Sequence, residues 1–196
     1  MGRAGEPAGR LEASGWALAE ESTETLFELS AVRVEGHTRV YEDAELRRAV
    51  REAAGVDQLC RFFFATVLEF SPPLAPGVAP MVRPTVASEA RREFANDLEG
   101  RGFVDVDRGR TRRVRVDSGA RARLTDYRAV YPLHADEASV DLRVRGFLAV
   151  WLDDEFRIAG GAYPESGLAD LLADADVEPD GSAYREELLE LIRAVG

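Results

Sequence analysis

The sequence predicts an α+β protein: one antiparallel β-sheet with helices packed on its faces. Two runs, 60–70 and 147–152, are apolar on both strand faces, as in central strands covered from both sides. From 103 to 163 strand patterns follow one another across short turns, which pairs consecutive strands antiparallel. A chain of 196 residues fits one domain and closes its core without metal or disulfide.

Taken in order, residues 1–14 lack the apolar stretch of a signal peptide and read as a disordered tail before a single domain over 15–196. Segments 16–22 and 23–30 read as two strands of a hairpin and 31–42 as a third, with Val32, Val34 and Val40 alternating with Arg and Glu. Asp43 suits the N-cap of a helix that places Leu46, Ala49, Val50 and Ala53 on one face and ends at Gly55. In the strand over 60–70, Cys60, Phe62, Phe64, Leu68 and Phe70 share one face, and Phe63, Ala65 and Val67 share the other. Residues 71–84 hold five of the nine prolines and are predicted to form a loop.

Thr85 or Ser88 then caps a helix with Val86, Ala90, Phe94 and Leu98 at i+4 spacing, closed by Gly100 or Gly102. Strands are predicted over 103–107, 112–117, 121–131, 140–152 and 156–163, with turns at Arg108-Gly109, Ser118-Gly119 and Asp153-Asp154. Leu168, Leu171 and Leu172 form a short helical piece. After 179–182 an amphipathic helix presents Tyr184, Leu188, Leu191, Ile192 and Val195.

Composition sets the environment. There are 36 acidic residues against 25 basic ones, for a net charge of −11, and every basic residue is Arg. The absence of Lys and the scarcity of Ile (Ile158 and Ile192) point to a GC-rich genome, and the acid excess to a halophilic protein kept soluble in concentrated salt. The lone Cys60 excludes an intramolecular disulfide and fits a reducing, cytoplasmic interior. No apolar run approaches the roughly 20 residues of a membrane-spanning helix.

The chain resembles a haloarchaeal family through Gly15-Trp16, 39–42 (Arg-Val-Tyr-Glu), 61–65 (Arg-Phe-Phe-Phe-Ala), 86–94 and 159–164 (Ala-Gly-Gly-Ala-Tyr-Pro). That resemblance implies a domain of unknown function and no catalytic assignment. From about Val86 onward, the order of helix, long strands and Gly-Gly-Ala-Tyr-Pro is similar to the PsbP-like fold, an antiparallel sheet between helical layers whose members mostly bind proteins. The similarity implies architecture, and function does not follow from a shared fold.

Several chemistries are excluded. Without Lys there is neither Schiff-base catalysis nor a Walker lysine. No Gly-x-Gly-x-x-Gly follows a strand and Gly-x-Ser-x-Gly is absent. Two His and one Cys at unrelated spacings support no zinc site, so neither metal nor cofactor is assigned. The sharpest enzymatic arrangement left sets Cys60 as nucleophile, His37 as base and Asp57 as orienting group. Against it, a Cys beside three phenylalanines packs as a small hydrophobe. His134 reads as an exposed turn residue. The pairs Asp153/Asp154, Asp174/Asp176 and Glu186/Glu187 read as solvated acids.

Three functions follow. The leading one is a non-enzymatic binding or interaction module, with a protein partner or a second copy of the chain. Its contact surface would be the proline-rich loop, through Leu74, Val78, Met81 and Val82. The second is a small-molecule enzyme with a pocket of scattered polar residues. The third is anion or nucleic-acid binding through the strands over 105–128, where eight Arg face four Asp. There Arg110, Arg112, Arg113, Arg115, Arg121 and Arg123 are the candidate ligands, unless they pair with neighbouring acids. Thin aromatic interleaving, Tyr127 and Tyr131 alone, argues against nucleic acid.

Overall fold

The computed structural model describes Leu11 and residues 15–29, 32–134, 139–169, 171–173 and 178–196. Its elements are β1 (Trp16–Leu29), β2 (Val32–Asp43), α1 (Ala44–Ala54), β3 (Phe62–Ser71), α2 (Ala79–Gly100), β4 (Val104–Arg115), β5 (Arg121–His134), β6 (Ser139–Leu152), β7 (Phe156–Ser166) and α3 (Gly181–Ala194). The protein is α+β, with the seven strands among the described residues in one sheet of order β1-β2-β3-β7-β6-β5-β4. Every neighbouring pair is antiparallel. Two meanders, β1–β3 and β4–β7, therefore meet where β7 pairs with β3. The predicted central strands are interior to the sheet.

Register assigns the faces. Val40, Phe64, Gly160, Leu148 and Thr125 form one row across β2, β3, β7, β6 and β5. This front face carries α2, whose Phe94 meets the rings of Phe64 at 5.7 Å and Tyr127 at 4.9 Å between centroids. Gly146 makes room there, because a Cβ at that position would lie 3.4 Å from the Phe94 ring. The back face carries α3, whose Leu188 lies over Gly161 and which packs against β7 and β3. The core thus has two layers, one on each side of the sheet.

Local signals explain the helices. Asp43 caps α1 by accepting from the Leu46 amide, and Gly55 ends it in the left-handed conformation. Ala54 rather than Ala53 completes the buried face. Asp180 caps α3 by accepting from the amides of Ser182 and Ala183.

Three expectations are corrected. Residues 16–29 form one strand, because the alternation shifts at register irregularities between Leu18 and Glu20 and between Thr25 and Phe27 instead of turning. Likewise β4 runs unbroken through Arg108-Gly109, where irregularities absorb the expected turn and Asp105 takes a positive φ of 53°. The loop over 71–84 is shorter than predicted, since α2 begins at Ala79 and not at Thr85 or Ser88. Pro80 sits in the first positions of α2, where its missing N–H costs nothing, and Pro84 lies inside the helix at the loss of one backbone bond. Leu11, within the expected tail, is buried in the core at 1% exposure. The rest of 1–14, the turn over 135–137 and the Asp174/Asp176 pair lie outside the described residues.

Candidate functional site: a groove beside α2

The path of α2 creates the site. The helix links β3 to β4 at the far edge, so it leans over β6 and β4. The front face of β1, β2 and β3 is left partly open. Small residues deepen it: Ser22, Thr38 and Thr66 line it side by side where larger side chains would fill the space, and Gly36 lets Leu26 pack down beside them. The result is a groove of 240 Å³ between β1 and α2.

Its floor is apolar, built from Val40, Phe62, Phe64, Phe94, Leu148 and Ile158. The Thr38 and Thr66 hydroxyls share a hydrogen bond of 2.8 Å, so this pair is satisfied within the floor. Leu26 and Phe27 line the groove and also a second depression that continues toward the start of α2, past Glu28, Val82, Thr85, Glu89 and Arg92. At 1.5 Å per residue, the stretch of α2 that runs beside the two depressions, from Val82 to Gly100, is about 27 Å long.

The rims are acidic. Glu20 and Glu24 of β1 stand on one side, and Glu89, Glu93 and Asp97 of α2 on the other, while Glu28, beyond the second irregularity of β1, pairs with Arg33 in register and turns to the back face. The helix acids recur at i+4 and so share one stripe. They are partly neutralised, since Arg92 pairs with Glu89 and Glu93, and Arg101 with Asp97 at 2.9 Å. Arg101 also closes one end, with its guanidinium 5.6 Å from the Phe62 ring centroid. Glu20, Glu24 and Glu28 make no ion pair among the described residues. The channel is therefore apolar below and negative along both edges.

The other flank of α2 is basic. Arg113 and Arg123 stand opposite one another on β4 and β5, as do Arg115 and Arg121. Their rows lie on the front face with Thr111 and Thr125. Arg112 belongs to the back face, where it pairs with Asp126 at 3.5 Å. Of the six arginines singled out in the sequence, four thus share a surface, and Arg112 is on the opposite side of the sheet. Arg110 falls in the irregular stretch between the paired residues Arg108 and Thr111.

A family model describing a domain of unknown function, DUF6517, matches residues 3–196. The chain belongs to this family. Comparisons with curated proteins and with solved structures gave no match.

In this DUF6517 chain the Cys60–His37 arrangement does not assemble. His37 pairs with Val67 in register, seven residues along from Cys60, about 23 Å of extended chain. Its ring lies within hydrogen-bond distance of Thr23 and Glu69, whereas Asp57 is held by Arg47 at 2.6 Å. Burial pushes the Cys60 thiol up to about 11, against a smaller opposing pull from Arg47. A thiol so placed is a poor nucleophile. His134 is exposed at the end of β5. Among the described residues no group of three His, Cys, Asp or Glu is placed to hold a metal. No described helix is long and apolar enough to cross a membrane.

The residues of the proline-rich segment separate. Leu74 and Val82 are half-buried and pack against the core, and Val78 is half-buried. Met81 is 77% exposed at the start of α2. Val82 lines the groove. The groove itself was missed in the sequence, although Glu89, Glu93 and Asp97 at i+4 spacing were a visible signal.

Proposed function

We propose that the DUF6517 chain is a non-enzymatic binding module whose groove beside α2 holds an extended, basic and apolar segment of a partner protein. The observation that carries this reading is the pairing of an apolar floor with five rim carboxylates, Glu20, Glu24, Glu89, Glu93 and Asp97, against two arginines. A strand of about eight residues spans about 28 Å and would seat alternate side chains on the floor and toward the rims. Arg or Lys at the upward positions would meet Glu20 and Glu24 of β1. His37 and Cys60 lie outside the groove.

The same reading sets the protein in a salt-rich cytoplasm. At molar salt the Debye length falls to about 3 Å, so long-range attraction vanishes and the floor supplies most of the affinity. The carboxylates then select by direct contact. Met81 and Val82 would extend the contact at the far end of the channel, which retains part of the surface inferred for the proline-rich segment.

The test uses fluorescence anisotropy with a labelled eight-residue peptide of alternating Arg and Leu, and a Glu/Leu counterpart. The basic peptide should bind and the acidic one should not. Ser22→Phe, which fills the groove from a partly exposed position, should abolish binding while the melting temperature holds. Equal binding of both peptides, or no response to Ser22→Phe, refutes the reading.

A further inference from the structure

The first two turns of α2 and the β4–β5 hairpin enclose a cavity of 340 Å³ on the basic flank. Arg83, Arg113, Arg121 and Arg123 line it, with Pro80, Pro84 and Ala122, and no carboxylate among the described residues does. Elsewhere on the molecule Arg39, Arg47, Arg61 and Arg145 each hold an acid. In a chain with a net charge of −11, a cavity walled by cations alone departs from that pattern.

The cluster works against itself while empty. Arg113 faces Arg123 directly across the strand pair, and like charges so placed repel. Arg83 reaches over to donate Nη2 to the carbonyl of Arg121, yet its Nε is buried without a partner. Two turns further along α2, burial holds the Arg91 guanidinium below its ordinary range, and the charges of Arg108 and Arg123 push the same way. An anion in the cavity would offset the repulsion between Arg113 and Arg123 and give the guanidiniums that line it a counter-charge.

We propose that this cavity is an oxyanion site that takes a chain of phosphate groups, as in inorganic tripolyphosphate. Several guanidiniums facing one space carry more charge than a single monoanion neutralises, and their planar forks match phosphate oxygens. Among the described residues no aromatic ring lines the cavity. A stacking platform for bases is therefore missing, which favours a bare phosphate chain over single-stranded nucleic acid. The two prolines fix the backbone of the helical wall, so little ordering is required on binding. The site lies on the opposite flank of α2 from the groove and does not depend on it.

Titration calorimetry of the full chain with tripolyphosphate, at about 50 mM KCl where phosphate contacts are strongest, tests this. The unmodified protein should bind. Arg113→Gln with Arg123→Gln should weaken binding about tenfold or more, and Arg121→Gln alone should weaken it measurably. Arg110→Gln with Arg112→Gln, outside the cavity, should leave it within about twofold. Circular dichroism should be unchanged throughout, since these side chains are exposed. No binding by the unmodified chain overturns the proposal. So does an equal loss in the two double variants, or tighter binding of a single-stranded oligonucleotide than of tripolyphosphate.

Discussion

Arg61 and Glu187, 126 positions apart, are joined by a hydrogen-bonded ion pair at the junction of β3 and α3. The arginine side chain is only 6% exposed, and a second carboxylate, Asp43, accepts from its Nη1 at 2.7 Å. Its guanidinium also lies 4.1 Å from the Tyr184 ring centroid and 4.8 Å from that of Trp16. Trp16 donates its Nε1 to Glu187 at 2.9 Å, and Asp43 is at the same time the cap of α1. One cation thus ties together the start of β1, the start of α1, the approach to β3 and the last helix.

Removing that cation should loosen all four elements together. Breaking a buried charge pair costs about 3–5 kcal/mol, and the partial exposure of Glu187 places Arg61→Ala near the lower end, about 3 kcal/mol. Urea denaturation should show the loss, and Trp16 emission should shift to the red as its cationic and carboxylate partners are lost. A loss below about 0.5 kcal/mol would mean that the network is a surface pair in effect.

The network shows what was legible in the sequence and what was not. Asp43, Gly55 and the doubly apolar β3 declare themselves locally, through cap chemistry and period. Trp16, Arg61 and Glu187 are unremarkable one by one, and only the β3–β7 pairing and the docking of α3 bring them together. The same holds for the groove. The stripe of Glu89, Glu93 and Asp97 is visible as a pattern, but its meaning depends on the crossing of α2 toward β4, which leaves β1–β3 open. Bulges were misread as turns in β1 and β4 because a shift in alternation looks alike in both cases until the partner strand is known.

Alkaline pH should destabilise the fold. Burial pushes the Cys60 thiol up to about 11, and the phenols of Tyr127 and Tyr163 up to about 12. The unfolded chain releases these protons near about pH 8.5 for Cys and about 10 for Tyr. Stability from these groups is therefore fully present below about pH 8.5 and is lost as pH rises toward 12. Thermal melting from pH 7 to 11 should show a falling midpoint. Cys60 should also resist a thiol reagent at pH 8, with a thiolate fraction on the order of one in a thousand, and react at once in guanidinium. Fast labelling of the native protein would contradict the placement of Cys60.

Gly160 should tolerate no side chain. A Cβ there would lie 2.6 Å from the Phe147 carbonyl oxygen and 2.9 Å from the Phe64 ring. The ring could turn, but the backbone of β6 could not, so Gly160→Ala should cost about 1–3 kcal/mol through strain alone. Phe94→Ala, which empties the space beside Phe64 and Tyr127, should cost about 3–5 kcal/mol. Urea midpoints at unchanged slope would measure both.

Salt should separate the acidic and basic flanks of α2. With a net charge of −11, the melting temperature should rise between about 0.1 M and molar KCl as repulsion is screened at short range. Substituting three acids of β1 (Glu20→Gln, Glu24→Gln and Glu28→Gln together) should raise the low-salt melting temperature and flatten that rise. Arg123→Ser removes a positive charge and makes the net charge more negative, so on global charge alone it should destabilise. Local geometry gives the opposite sign: Arg123 sits directly across from Arg113, and relieving such a pair is worth about 0.2–1 kcal/mol. The variant should therefore melt higher than the unmodified protein at low salt, with the difference closing in molar KCl. A lower melting temperature at low salt would show that Arg123 is a structural counterion to the acidic surface, and the repulsion described for the empty cavity would be wrong.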